Sequence, residues 1–296
     1  MSRNIQKEIT DRILAKLAAG TIPWRKPWNT TGAGFGAMPR NAVTNRPYSG
    51  ANTVLLWMEA EEKSYSNPLW LTYKQAQAEG GNVRKGEKGV QIIFWSSFTK
   101  TGESEGDADK PKTGMFLKTY TVFNLAQCDG CDHLIDKPVK VYNREERDET
   151  AEAFIQSTGA SVRHGESRAY YATSGDYINL PAFEAFTGAD EYYSTAFHEL
   201  THWTGAEHRL NRTFGKRFAD STYAAEELVA ELGSAFLCAE FGFDSTLDNS
   251  ASYIDYWSKT LQDNDGLFIS AASKASKAVE YMRELTIAAD LPLAAE

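Results

Sequence analysis

The string His198-Glu199-Leu200-Thr201-His202 constrains this chain more than any other feature of its sequence. It lies in a stretch, roughly 192–203, that contains no Gly or Pro and can be helical throughout, and residues four apart on a helix share a face. Two imidazoles one turn apart can therefore turn toward the same cation, while the carboxylate beside the first takes a proton from water held there. A cation so placed brings the pKa of water down toward ~7 and polarises a carbonyl. The arrangement reads as a metal-dependent peptidase of the His-Glu-x-x-His type, with His198 and His202 as ligands and Glu199 as catalytic base. The competing reading is a chance string of surface histidines. Three of the five histidines fall within 198–208, which argues against it.

An open tetrahedral site needs a third protein ligand, and the sequence offers two candidates. His208, with Gly205 between, completes a metzincin-like spacing, but that pattern also requires a methionine turn. The only methionine beyond 208 is Met282, in a charged helical stretch. The other candidate is the helical run 223–241, where Glu227 and Glu231 are four apart and share a face. Glu227 is the preferred ligand and His208 the alternative, with Glu231 accepting a hydrogen bond from a ligand imidazole. Glu226, one residue off that face, is expected to be solvated, as is Glu240. Zinc is the default ion for two imidazoles and one carboxylate; manganese, cobalt and nickel are also compatible. A peptide substrate is expected along an edge strand, supplied by 168–172 or 177–180.

Charge divides the chain. Residues 1–128 carry 17 Lys and Arg against 11 Asp and Glu, and the remainder 14 against 29, a basic first part and a strongly acidic second part within a net charge of -9. Such asymmetry points to two units with different partners. We place them at 1–128 and 148–296, with 129–147, containing Pro138 and the charged run 144–147, as linker. The expected class is α+β: a small-sheet N-terminal domain and a C-terminal metallopeptidase domain. Helices are expected near 4–17, 51–62, just after Thr72, 149–157, 192–203 and 223–241, followed by a helical C-terminus. Strands are expected at 90–95, 115–123, around Val162, at 168–172 and at 177–180, with a polar loop at 99–114. The first twenty residues carry charges throughout and do not form a secretory signal. No apolar run reaches the ~18 to 20 residues of a membrane span, and three cysteines make no disulfide framework. A cytosolic protein without a membrane partner is expected.

The basic part interleaves aromatics with cations: Trp24, Arg25, Lys26 and Trp28 in IPWRKPW, then Tyr73, Lys74, Arg84, Lys85 and Lys88, with Trp70, Phe94 and Trp95 nearby. Cations follow phosphates and flat rings stack on unpaired bases, so single-stranded DNA is the expected partner. Against this stands the plain alternative of core aromatics and a solvated lysine face. A double-strand repressor would need a helix-turn-helix, and 1–128 holds none. Cys128-Asp-Gly-Cys131 with His133 is half of a zinc knuckle without its second half and reads as a turn.

Taken together, IPWRKPW, YSGANTVLLW, WLTYKQAQAEGGNVRKGEKG, YTVFNLAQ and HELTHWTG with Arg209-Leu-Asn-Arg212 resemble the ArdC-type antirestriction proteins of conjugative plasmids. The resemblance implies a single-stranded-DNA-binding domain related to that of TraC-type primases, joined to a zincin-like domain similar to the SprT and Spartan group. It also implies protection of entering plasmid DNA from restriction, in the cytoplasm of a bacterial donor or recipient cell. By position it makes His198 and His202 the ligands, Glu199 the catalytic glutamate and the Glu227 helix the third-ligand helix, with His208 extra to the pattern. The further partner is an unidentified protein substrate or a component of a restriction system. The rival reading is a DNA-coating protein whose metal domain is structural or binds a partner.

Overall fold

The computed structural model describes residues 4–24, 38–100, 112–135, 146–215, 221–244 and 251–290. In chain order the elements are α1 (Ile5–Ala18), β1 (Arg40–Asn41), α2 (Ala51–Lys63), β2 (Leu69–Leu71), α3 (Tyr73–Ala78), β3 (Asn82–Val83), β4 (Val90–Lys100), β5 (Lys112–Asn124) and β6 (Cys128–Asp129). There follow α4 (Glu149–Ser157), β7 (Ser161–His164), β8 (Tyr170–Ala172), β9 (Tyr177–Leu180), α5 (Ala189–Trp203), α6 (Ser221–Phe241), α7 (Ala251–Gln262) and α8 (Leu267–Asp290). Helix and sheet are thus mixed as expected. No helix among the described residues is long and apolar enough to cross a membrane.

These elements form two compact units, but the division in space is not the division in sequence. One unit is drawn from Met1–Pro39, Pro47–Pro68 and Lys137–Glu296, the other from Arg40–Arg46 and Leu69–Asp136. The first two helices, expected with the basic part, therefore belong with the larger unit. The reason is their apolar faces. In α1, capped by Asn4 at the Lys7 amide, Ile9, Ile13 and Leu17 recur every four residues and are buried, and α1 packs on α7. In α2, eight of 13 residues are buried, leaving too little polar face for an exposed helix, and α2 packs on α8. Trp24 completes this core, 1% exposed, with its ring centroid 6.0 Å from that of Trp257 and 5.8 Å from that of Phe268.

The smaller unit is a four-stranded sheet, β1-β2-β5-β4, and a two-stranded one, β3-β6. Its core holds Leu69, Leu71, Val83 and Leu125 with the two free thiols of Cys128 and Cys131. Burial lifts the Cys128 thiol to about 11, and both thiols pack as small apolar side chains in this core. Residues 129–135, expected in the linker, are part of this unit. Strands β4 and β5 pair from Val90↔Val122 out to Lys100↔Lys112, so the hairpin runs farther than its expected ends at 95 and 115. Cross-strand pairing overrides the weak local preference of its polar outer residues.

In the larger unit the strand order is β7-β9-β8, with β9 parallel to β7 and antiparallel to β8. Tyr177–Leu180 is thus the central strand, both edges taken, and cannot accept a peptide; of the two expected strands only β8 lies at an edge. Strands β8 and β9 pack on α5, which buries Tyr192, Tyr193, Ala196, Phe197, Leu200 and Trp203. On its other flank α5 packs on α6.

Candidate metal centre

Helices α5 and α6 approach closely because one of them has no side chain at the crossing. A Cβ on Gly233 would lie 2.5 Å from Thr201 Oγ1, and one residue along, Ser234 Oγ donates to the Ser194 carbonyl at 2.7 Å. This packing aims the first turns of α6 at the His-Glu-x-x-His face of α5.

Three side chains converge there. His198 Nε2 and His202 Nε2 are 3.2 Å apart; Glu227 Oε2 lies 3.6 Å from the first and Oε1 3.5 Å from the second. A tetrahedral ion with bonds of about 2.0–2.2 Å separates its ligand atoms by about 3.3–3.6 Å. The two nitrogens, each with one oxygen of the same carboxylate opposite it, are therefore spaced close to what an ion would impose. Among the described residues this is the one group of three or more His, Cys, Asp or Glu able to hold a metal ion, with its ligand atoms all within 4.8 Å of one another.

The electrostatics agree. Burial alone would depress His202, but hydrogen bonds to Glu226 and Glu227 outweigh it and raise the ring to about 10. His198 is likewise raised, its burial offset by the bond to Glu227. For Glu227 burial works upward, yet the two imidazoles hold its carboxyl well below the usual range. Two rings and a carboxylate that hold positive and negative charge at such close range form a site a divalent cation can enter by displacing protons. Glu199 is buried beside them, close enough to raise both rings. Burial and the neighbouring Glu227, to which Tyr223 is hydrogen-bonded, push the Tyr223 hydroxyl up to about 12, so it stays protonated beside the site.

The surroundings depart from expectation in several places. The partner of the other nitrogen of His202 is Glu226, with Oε1 3.2 Å from Nδ1. Far from being solvated, Glu226 is 5% exposed and ion-paired to Arg212, whose Nη2 stands 2.9 Å from Oε1. The role expected of Glu231 thus falls to Glu226. An imidazole has two nitrogens on different sides, so two successive helix residues can both serve one ring. Glu231 is buried and stands near enough to His198 to act on it through charge. His208 does not join the triangle: it is 65% exposed, 3.4 Å from Asp176 and hydrogen-bonded to Arg209. Glu240 is ion-paired to Arg283 and not simply solvated.

Among the expected DNA-binding residues, Trp24 is buried in the larger unit and has no face to offer a base. Arg25, Lys26 and Trp28 lie outside the described residues. Tyr73, Lys74, Arg84, Lys85 and Lys88 are exposed on the smaller unit, though Arg84 is engaged with Glu87, Asp129 and the Ala126 carbonyl. Trp70 is buried. Phe94, Trp95 and Tyr120 stand exposed on the β4–β5 hairpin; Tyr120 has no signal in sequence beyond being aromatic.

Comparison with known proteins bears on both units. Residues 149–274 match the zincin-like metallopeptidase family, and residues 3–123 match the N-terminal domain of the anti-restriction factor ArdC. The metal-free crystal structure of the antirestriction ArdC protein from the R388 plasmid matches with a TM-score of 0.81 at 40% identity, over 97% of this chain and 99% of that one. The Mn(II)-bound structure of that protein gives 0.76 at 39%, over 96% and 98%. The protein y4eC of Sinorhizobium fredii is 36% identical over 94% of this chain and 91% of its own length. The DNA primase TraC of Escherichia coli is 36% identical over 95% of this chain, which spans only 27% of the primase.

Proposed function

This chain belongs to the ArdC family of antirestriction proteins, and on that premise we propose that it protects incoming plasmid DNA by binding single strands and cleaving a protein beside them. The observation that carries the peptidase half is the triangle of His198, His202 and Glu227, with Glu199 next to the first ligand. In this reading those three side chains hold one divalent ion, zinc or manganese, which supplies Lewis acidity toward water and a scissile carbonyl. Glu199 takes the proton from the attacking water and delivers it to the leaving amine. Glu227, anchored by Tyr223, balances the charge, and the edge strand β8 receives the substrate backbone.

For the DNA half, the exposed Tyr73, Lys74, Lys85 and Lys88 follow the phosphate chain, and the exposed rings Phe94, Trp95 and Tyr120 offer faces for bases. A second reading, a coat that shields strands without cleavage, is favoured by one fact: a segment like this one makes up 27% of a DNA primase, a protein named for work on DNA and not on protein. Glu199→Gln decides between them. If metal stays bound and protection from restriction is lost, the peptidase reading holds; if protection survives in full, the coat reading replaces it.

A further inference from the structure

The loop after α5 is built to return one arginine to the metal helix. The chain turns at Gly205, where a Cβ would meet Arg212 Nη2 at 2.9 Å and the His202 carbonyl at 3.0 Å. It then folds back on itself: the Leu210 amide donates to Thr204 O at 3.0 Å and the Arg212 amide to Gly205 O at 2.8 Å, with Asn211 between them at φ +47°. That left-handed step suits an asparagine and reverses the chain. The guanidinium so delivered is 6% exposed and is hydrogen-bonded through all three of its nitrogens. Nε reaches Glu226 Oε2 at 3.0 Å, Nη2 reaches Glu226 Oε1 at 2.9 Å and the Thr201 carbonyl at 2.5 Å, and Nη1 reaches Thr204 Oγ1 at 2.8 Å. Arg212 thus ties the C-terminal end of α5, where carbonyls lack helical partners, to the second turn of α6. The carboxylate it grips is the one that faces His202 Nδ1.

Resting on the metal-site reading above, we propose that Arg212 and Glu226 are positioning residues for the metal centre, acting through His202. Glu226 accepts the Nδ1 proton and so leaves Nε2 as the only nitrogen free to coordinate; it also fixes the plane of the ring. A carboxylate this deeply buried needs a fixed counter-charge, and Arg212 supplies it from a planar fork that also sets where the carboxylate stands. A lysine could supply the charge but not the fork.

The test compares wild type with Glu226→Gln, Glu226→Ala, Arg212→Lys and the double variant Arg212→Lys/Glu226→Gln. Zinc affinity is read by competition with a chromophoric chelator, and the His202 Nδ1 proton by NMR of the zinc-loaded protein. Each single change should lower affinity by about 10- to 100-fold. The double variant should lose little beyond the worse single, because both act along one path. The Nδ1 proton, slow to exchange in wild type, should exchange freely in Glu226→Ala. The thermal midpoint of each metal-free variant separates this from a folding defect, and Glu226→Gln, which keeps an oxygen acceptor, serves if an arginine variant does not fold. A wild type that binds zinc together with variants that bind it within twofold as tightly overturns the inference. A wild type that binds no zinc overturns the site reading instead.

Discussion

His198 and His202 hold their Nε2 atoms 3.2 Å apart, and the carboxylate of Glu227 spans both. Such an arrangement without an ion is held by shared protons; with one it is held by coordination. A ligand that binds only the folded state stabilises it by about 2.7 kcal/mol at a hundredfold excess over its dissociation constant. For a chain of this size that should raise the melting temperature by roughly 4–5 °C when zinc or manganese is added to chelator-treated protein. Glu227→Ala should abolish most of the rise, and His208→Ala none of it. An equal rise in wild type and Glu227→Ala, read by scanning calorimetry, would place the ion elsewhere.

Proton release follows from the same geometry. In the metal-free protein the His202 ring is raised from 6.5 to about 10, so it is protonated at neutral pH. A raised group contributes stability that is complete below its unfolded pKa and is lost as the pH climbs through the folded one. The metal-free protein should therefore weaken between about pH 6.5 and 10. The ion must displace that proton, so apparent affinity should rise with pH over the same window, by about tenfold per unit for each proton displaced. Titration calorimetry near pH 7 in buffers of different ionisation enthalpy counts the protons. A count of zero is incompatible with ligation by His202.

How much of this is legible in the sequence depends on how local each relationship is. The spacing of His198, Glu199 and His202 within one helix is local, and the structure brings the two imidazoles together as read. Glu227 is also legible, since with Glu231 four residues on it marks one acidic face of an otherwise apolar helix. Glu226 escapes the sequence because a helical wheel treats α6 as if one face alone could serve a ring, whereas α5 presents His202 edge-on with both nitrogens engaged. Trp24 escapes it because its burial depends on Trp257 and Phe268, far along the chain. The same limit explains α1 and α2: their patterns show apolar faces but not which helices cover them.

The crossing of α5 and α6 gives a prediction opposed to helix propensity. Replacing a mid-helix glycine by alanine ordinarily favours the helix by about 1 kcal/mol. At Gly233 the added carbon would stand 2.5 Å from Thr201 Oγ1 and 2.6 Å from Cγ2, and the Ser234–Ser194 bond holds the helices where they are. Gly233→Ala should therefore destabilise by about 1–3 kcal/mol in chemical denaturation. It should also weaken metal binding, as Glu227 draws away from α5. Adding Thr201→Ala should recover most of the stability. A single variant more stable than wild type would show that the helices do not meet this closely.

The burial of Trp24 separates the contributions of the basic, aromatic part of the chain. Trp24→Ala removes a large ring from a packed core and should lower stability by about 3–5 kcal/mol, with its effect on DNA no larger than the unfolded fraction explains. Lys85 and Lys88 are exposed on the turn before β4, so Lys85→Ala/Lys88→Ala should leave stability unchanged. If they meet phosphates, affinity for single strands should fall to a similar degree for every sequence. The slope of log affinity against log salt should then shrink by about 0.7 for each phosphate no longer neutralised. Phe94→Ala and Tyr120→Ala should weaken binding while leaving the salt slope intact, because stacking releases no counterions. Gel shifts or fluorescence anisotropy across a salt series distinguish the two kinds of weakening. A salt slope unchanged in the double lysine variant would move the phosphate path off this turn, and unchanged affinity in both aromatic variants would remove the hairpin from the DNA surface.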